Sequence, residues 1–200
     1  MRNIRHLSPR YIASRLMVLT YEHTNKQTPW LTKSMTNILS SWLKPEDKVL
    51  EWGSGRSTLW FSTRVKFITS IEHDPYWYRR VSRRIQRMKL THVDYHLCDE
   101  SKYVERALSM QKNSLDLILV DGIRRDECAV VALSLLKPGG IIVIDNCNWF
   151  LPSASRSPNS QRYGHAPPSE SWQTFQMAVG DWRCIWTSSG VTDTALWMKP

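Results

Sequence analysis

The stretch KVLEWGSGRSTLWF, residues 48–61, decides the fold. A short apolar run carries an acid, Glu51, and then breaks into Gly53-Ser54-Gly55. Glycines just past a strand make a strand-to-helix turn in which the missing Cβ atoms let backbone approach a ligand closely. The hydroxyls that follow cap a helix over STLWFSTR. The stretch therefore reads as strand, glycine turn, helix, and it leaves open whether the turn faces a phosphate, a nucleoside or nothing.

Outward from this stretch the same alternation repeats. Upstream, TPWLTKSMTNILSSWL spaces Trp30, Leu31, Met35, Ile38, Leu39 and Trp42 as an amphipathic helix, which Pro45 stops. Downstream come a strand in VKFITSIE and a helix in DPYWYRRVSRRIQRM, with Asp74 as N-cap and Pro75 at its first position. HVDYHLCD is a third strand, followed by a helical stretch near 101–111. LDLILVDG reads as a strand buried on both faces, RRDECAVVALSLL as a helix closed by KPGG, and IIVID as a fifth strand. Residues 146–170 show no periodicity and read as a long loop, a length that in compact domains usually carries function. A helix near 170–178 and two strands, WRCIWT and TALWMK, joined through a turn at Gly190, close the chain. Successive βα units predict a doubly wound, mostly parallel α/β sheet, and the last hairpin predicts an antiparallel final strand. The expected organisation is a basic extension over 1–28 and a single domain over 29–200, with no internal repeat.

Composition excludes several classes. A hydrophobic share of 42% in 200 residues suffices for one core, so disorder throughout is excluded. No apolar run reaches membrane-span length, and the arginine-bearing, acid-free first 21 residues read as a basic leader helix, with organelle import as the alternative. Cys98, Cys128, Cys147 and Cys184 are widely spaced without a CxxC pair, which points to reduced cysteines of a cytoplasmic protein. The ten tryptophans, many near element ends, suggest an apolar pocket or interface beside ordinary core filling. A net charge of +9 favours anionic partners, and Arg79, Arg80, Arg83, Arg84 and Arg87 recur at helical spacing, either as a solvated face or as a binding patch.

Three ligands compete for the glycine turn. No Gly-Lys-Ser/Thr follows it, which removes the phosphate loop. Thr58 stands where a dinucleotide G-x-G-x-x-G needs its last glycine, and that reading leaves Glu51 without a purpose. The third reading uses more residues: Glu72 closes the second strand nineteen residues past Gly53, where a carboxylate can accept from both ribose hydroxyls, and Asp99 follows the third strand. In these features the chain resembles the class I S-adenosylmethionine-dependent methyltransferases over about residues 46–199, with their seven-stranded Rossmann-like sheet and terminal antiparallel hairpin. The resemblance implies S-adenosylmethionine as cofactor. It places Gly53 and Gly55, with Ser57 where the commonest form has a third glycine, against it; Glu51 sits near its amino-acid end, Glu72 at the ribose, His73 on the adenosine side and Asp99 at the adenine.

The chemistry would lie outside the carboxyl ends of the strands. Asp121 ends the fourth strand, and Asp145 with Asn146 the fifth; two carboxylates and an amide oxygen there can hold Mg²⁺, or simply cap turns. Their placement resembles the divalent-metal-dependent O-methyltransferases, although Arg124 replaces the lysine that family carries three residues after the fourth-strand acid, and arginine cannot serve as a base. Candidate bases are Asp121 and His165, the latter on the long loop, which could close over the acceptor as a lid. Trp149, Tyr163 and Trp172 are candidates for a pocket wall, and Arg156 and Arg162 suit an anionic acceptor. The leading expectation is methylation of a small-molecule hydroxyl. RNA methylation through the basic surface is the alternative, although the NPPY-type motif is missing, and a non-catalytic S-adenosylmethionine-binding module is a third class. The oligomeric state is left open.

Overall fold

The computed structural model describes residues 8–166 and 168–200; the start of the basic leader, with Arg2 and Arg5, lies outside them. Helix α1 (Pro9–Thr24) begins with the Ser8 hydroxyl accepting from the Tyr11 N–H, and α2 (Lys33–Trp42) with Thr32 accepting from Met35. Then follow β1 (Lys48–Trp52), α3 (Arg56–Ser62), β2 (Phe67–Glu72), α4 (Pro75–Arg87), β3 (Val93–Leu97) and β4 (Leu115–Val120). The chain ends with α5 (Arg125–Leu135), β5 (Leu136–Asp145), α6 (Glu170–Ala178), β6 (Arg183–Ser188) and β7 (Asp193–Met198).

The seven strands form one sheet in the order β3-β2-β1-β4-β5-β7-β6. β1 to β5 pair in parallel, while β7 runs antiparallel to both β5 and β6, as the hairpin predicts. Strand alternation sends residues to two cores. Leu50, Trp52, Ile118, Val120, Ile142 and Ile144 pack under α5 and α6 with Ala132, Trp172 and Phe175. Val49, Leu117, Leu119, Ile141 and Val143 pack under α2 and α3 with Met35, Leu39 and Phe61. Burial on both faces explains the continuous apolar runs of the central strands.

Three expectations change. The helix near 101–111 is only a 3₁₀ turn over Glu105–Ala107. The Tyr103 carbonyl, which an α-helix would give to the Ala107 N–H, instead accepts from the Trp52 indole at 3.1 Å, and Ala107 bonds to Val104. KPGG does not close α5 but belongs to β5, because Gly139 donates to the Lys199 carbonyl and Gly140 accepts from its N–H. The long loop is pinned rather than free. Asn148 donates to the Pro158 carbonyl and to Ser160 and accepts from the Asp193 N–H, while Ser157 donates to the Asp193 carboxylate at 2.6 Å.

The basic leader helix forms as α1 and docks on the β6–β7 turn, where a Cβ on Gly190 would fall 2.7 Å from Ser14 Oγ. No helix among the described residues is long and apolar enough to cross a membrane. The cysteines are free, with Cys128 and Cys147 buried and Cys184 exposed.

Candidate functional site

Sheet order reverses between β1 and β4, and at such a switch point the loops leave in opposite directions and open a crevice. The glycine turn and the Asp121-Gly122 segment meet there. Gly53 has φ +92, and a Cβ on it would lie 2.6 Å from the Gly122 nitrogen and 2.7 Å from the Asp121 carbonyl carbon. Glycine at 53 is thus required by the left-handed backbone and by the contact of the two strand ends. Gly55 packs beneath the Trp77 indole, whose Nε1 donates to the Ser54 carbonyl at 2.5 Å.

Glu51 locks the turn from below. Its Oε2 accepts from the Thr58 hydroxyl at 2.6 Å and the Ser70 hydroxyl at 2.7 Å, and Thr58 in turn accepts from the Gly55 N–H at 2.9 Å. Burial pushes the Glu51 carboxyl up to about 7, against the hydroxyls of Ser57, Thr58 and Ser70, which draw it down. Glu72 closes β2 with a fuller set of partners. Its Oε2 accepts from the Ser54 N–H and hydroxyl, and its Oε1 from the N–H groups of His73 and Asp74. The Ser54 hydroxyl also meets the Tyr95 hydroxyl at 2.6 Å, a second partner beside Glu72.

Tyr103, from the segment after β3, fills the crevice. Its side chain is fully buried, edge-on to His73 at 5.7 Å between centroids, and a Cβ on Gly122 would fall 1.8 Å from its hydroxyl oxygen. Among the described residues, three buried side-chain atoms have no hydrogen-bond partner: Glu51 Oε1, His73 Nδ1 and Tyr103 Oη. His73 Nδ1 lies 3.1 Å from Glu72 Oε1 but off the angle that a hydrogen bond needs. All three atoms stand about the carboxyl ends of β1, β2 and β4. Buried polar atoms are seldom left unpaired, so this concentration makes the crevice the candidate ligand site. Hydroxyl- and amine-bearing ligands such as an adenosyl amino acid fit that donor and acceptor set.

The neighbouring strand ends carry the charges. Asp121 keeps 28% of its side chain exposed, and burial, then the adjacent Asp145 carboxylate, raises its pKa well above the ordinary range, with Arg125 opposing. Asp145 is turned to β7, its Oδ1 accepting from the Thr194 hydroxyl at 2.5 Å, and burial raises it as well. Between Asp121 and Asn146 lies Arg125. Its Nη2 donates to Asp121 Oδ1 at 3.1 Å and to the Asp121 carbonyl, its Nη1 to Asn146 Oδ1 at 2.9 Å and to the Asp145 carbonyl, and its Nε to the Gly122 carbonyl. Of the side-chain oxygens that the sequence offers to Mg²⁺, those of Asp121 and Asn146 are bridged by the Arg125 guanidinium and that of Asp145 is turned away to Thr194, so in this arrangement they do not fit the ion. Among the described residues no group of three or more His, Cys, Asp or Glu side chains is set to hold a metal.

The structure thus brings together Glu51, Gly53, Gly55, Glu72, His73 and Asp121, with Ser57 buried at the start of α3. Other expected residues stand apart. Asp99 is exposed and caps its own turn through Ser101 and the Lys102 N–H, which hold its pKa below the usual value. His165 is exposed on the loop, and no ring hydrogen bond ties it to another described residue. Trp172 is core, stacked on Phe150, whereas Trp149 and Tyr163 are 41% and 72% exposed. Arg124 turns away to Glu127. Arg125 and Tyr103 escaped the sequence reading; the one available signal was an arginine four residues beyond Asp121, one helical turn away.

No protein-family model and no curated protein sequence matches the chain. Solved structures do. A proposed O-methyltransferase from Klebsiella pneumoniae superposes with TM-score 0.62 at 17% identity, over 96% of this chain and 91% of that one. TYW2 from P. horikoshii in complex with MeSAdo gives 0.52 at 20% identity, over 82% of this chain. The match spans only 61% of that TYW2 chain. Fibrillarin from Aeropyrum pernix with natively bound S-adenosyl-L-methionine gives 0.53 at 16% identity, over 78% and 67%. At these identities the likeness is one of fold: the chain has the seven-stranded sheet of the class I S-adenosylmethionine-dependent methyltransferases.

Proposed function

We propose that this protein transfers a methyl group from S-adenosylmethionine to an acceptor hydroxyl. The observation that carries the reading is the set of three partnerless buried polar atoms, with Glu72, around one switch-point crevice. Glu51 Oε1 is assigned to the cofactor's ammonium, which would complete the carboxylate's hydrogen bonding and favour its charged form. Glu72 is assigned to the ribose, one hydroxyl taking the place of Ser54 on Oε2. The rings of Tyr103 and His73 are assigned to the adenosine, in place of the exposed Asp99.

When bound, the cofactor supplies a sulfonium methyl, whose departure asks little of the protein beyond alignment. The chain's own contribution is a proton acceptor, and we assign that role to Asp121. Its raised pKa brings the carboxylate closer to neutral, where it is a better base, and part of it remains open to an acceptor. Arg125 holds Asp121 in place and supplies the positive charge that offsets the forming oxyanion. His165, exposed on the loop, is assigned no role. The same chemistry serves a small-molecule hydroxyl or a ribose 2′-hydroxyl, and an acceptor screen over both classes separates them.

The first test is calorimetric titration with S-adenosylmethionine and its demethylated product, with NADH as control, on the wild type and Glu72→Ala. Micromolar binding of the adenosyl ligands, weakened at least tenfold by the substitution, is expected. A folded wild type that binds neither adenosyl ligand refutes the assignment. Binding without turnover on any acceptor would make the protein a sensor or scaffold rather than a transferase.

A further inference from the structure

Beside Gly55 of the glycine turn, a cleft of about 260 Å³ opens between the start of α3, α4 and the α1–α2 connection. Lys26, Arg56, Arg80 and Arg84 line it, with Trp30 and Trp77. None of these four cations is paired with a carboxylate among the described residues. The two indoles stack at 6.0 Å and 27°, with the Arg56 guanidinium 5.0 Å from the Trp30 centroid and that of Arg80 5.3 Å from Trp77. The result is a ladder, Arg-Trp-Trp-Arg, in which the π faces hold both guanidiniums; Arg56 Nη1 also donates to the Glu22 carbonyl at 3.2 Å, and the remaining N–H edges are left for another partner.

The cleft opens onto a longer feature. Helix α4 carries five arginines and no acid, all five exposed. Arg79, Arg83 and Arg87 stand four residues apart, as do Arg80 and Arg84, and like charges at that spacing oppose the helix that bears them. Five mutually repelling charges are more than the contacts of Arg79 with the Pro75 carbonyl and of Arg80 with Trp77 require. The other side of α4 is already used: Val81 is buried, and Tyr78 stacks on Tyr95 at 4.5 Å. A bilayer needs a continuous free apolar face, and on α4 Tyr76 is the single exposed large apolar side chain. What remains is a cationic stripe about 12 Å long from Arg79 to Arg87 at ~1.5 Å per residue, ending in the cleft of about 260 Å³, which has no room for a duplex, and flanked by Trp30, which is 49% exposed.

We propose that the cleft and the α4 stripe bind single-stranded nucleic acid, phosphates on the arginines and a base against Trp30. This surface lies beyond the methyl-transfer reading and does not rest on it, since binding here requires no cofactor.

The test is fluorescence anisotropy of a labelled mixed-sequence single-stranded RNA with the full chain, from 50 to 200 mM salt and without S-adenosylmethionine. Four phosphate contacts would give a log–log salt slope of about −3. The double variant Arg80→Gln/Arg84→Gln should weaken binding at least tenfold at 100 mM salt and reduce the slope by about 1.4, at ~0.7 per contact. Trp30→Ala should weaken binding with the slope unchanged. The control is Lys112→Gln/Arg183→Gln, which removes two exposed charges elsewhere and should change affinity less than threefold. The proposal is overturned if RNA does not bind, if the control loses as much as the cleft variant, or if anionic phosphatidylserine vesicles bind through these residues and RNA does not. Circular dichroism melts confirm that each variant is folded, and the calorimetric cofactor titration reports separately on methyl transfer.

Discussion

Replacing Glu51 by glutamine should remove a large part of the protein's pH sensitivity. Glu51 is fully buried, two hydroxyls satisfy its Oε2, and its Oε1 has no partner. Burial raises its pKa from 4.5 to about 7, a shift worth about 3 kcal/mol at ~1.36 kcal/mol per unit. The folded carboxyl keeps its proton to higher pH than the unfolded one, so the folded state binds more protons through this window and stability falls as pH rises. About 2 kcal/mol of the loss falls between pH 5.5 and 8, because the unfolded group is already largely ionised at the lower limit. Glutamine keeps the oxygen for Thr58 and Ser70 and cannot ionise, while its buried NH₂ imposes a cost that does not vary with pH. Asp121 and Asp145 titrate in the same direction, so the quantity that isolates Glu51 is the variant-minus-wild-type difference in unfolding free energy. Urea unfolding of both proteins, without ligand, at pH 5.5 and 8 measures it. The difference should shift by about 2 kcal/mol in favour of the variant at the higher pH. Parallel curves would refute the reasoning and place the Glu51 carboxyl near its ordinary pKa despite its burial.

Two further outcomes follow from the crevice. Gly122→Ala puts a methyl 1.8 Å from the Tyr103 hydroxyl and should cost about 2–4 kcal/mol as the ring is expelled, read as a fall in Tm. Tyr103→Phe removes only a partnerless hydroxyl, so Tm should hold or rise while affinity for S-adenosylmethionine drops about tenfold; a large fall in Tm would show that the hydroxyl is satisfied. Once an acceptor is identified, turnover should be unaffected by EDTA, because Arg125 occupies the place between Asp121 and Asn146. Arg125→Lys should reduce kcat at least tenfold, since an ammonium cannot make the guanidinium's five directed bonds. Activity lost in EDTA and restored by Mg²⁺ would contradict that arrangement.

The features legible in the chain were those written over a few neighbouring residues. Val49, Leu50 and Trp52 announce a buried strand, Gly53 and Gly55 a turn, and Asp74-Pro75 a helix start, because periodicity, backbone freedom and capping are local physics. Glu51 and Glu72 could be placed at the same edge of the sheet, since each lies at or next to the carboxyl end of its strand and parallel strands align their ends. What a carboxylate at a strand end touches is a different matter. Asp121, Asp145 and Asn146 looked open to a cation because nothing in their own neighbourhoods shows that Arg125 reaches across to a partner 21 residues away. Tyr103 looked like one position of a helix until its carbonyl was taken by Trp52, 51 residues earlier, which turned its ring into the crevice. Trp30, Arg56 and Arg84 become one cleft only when α3, α4 and the α1–α2 connection are stacked. By itself, the sequence determined the layered α/β sheet, its glycine turn and the acids along its carboxyl edge. The tertiary structure alone decided which side chains face those acids, because that depends on contacts between segments far apart in the chain, which no local pattern records.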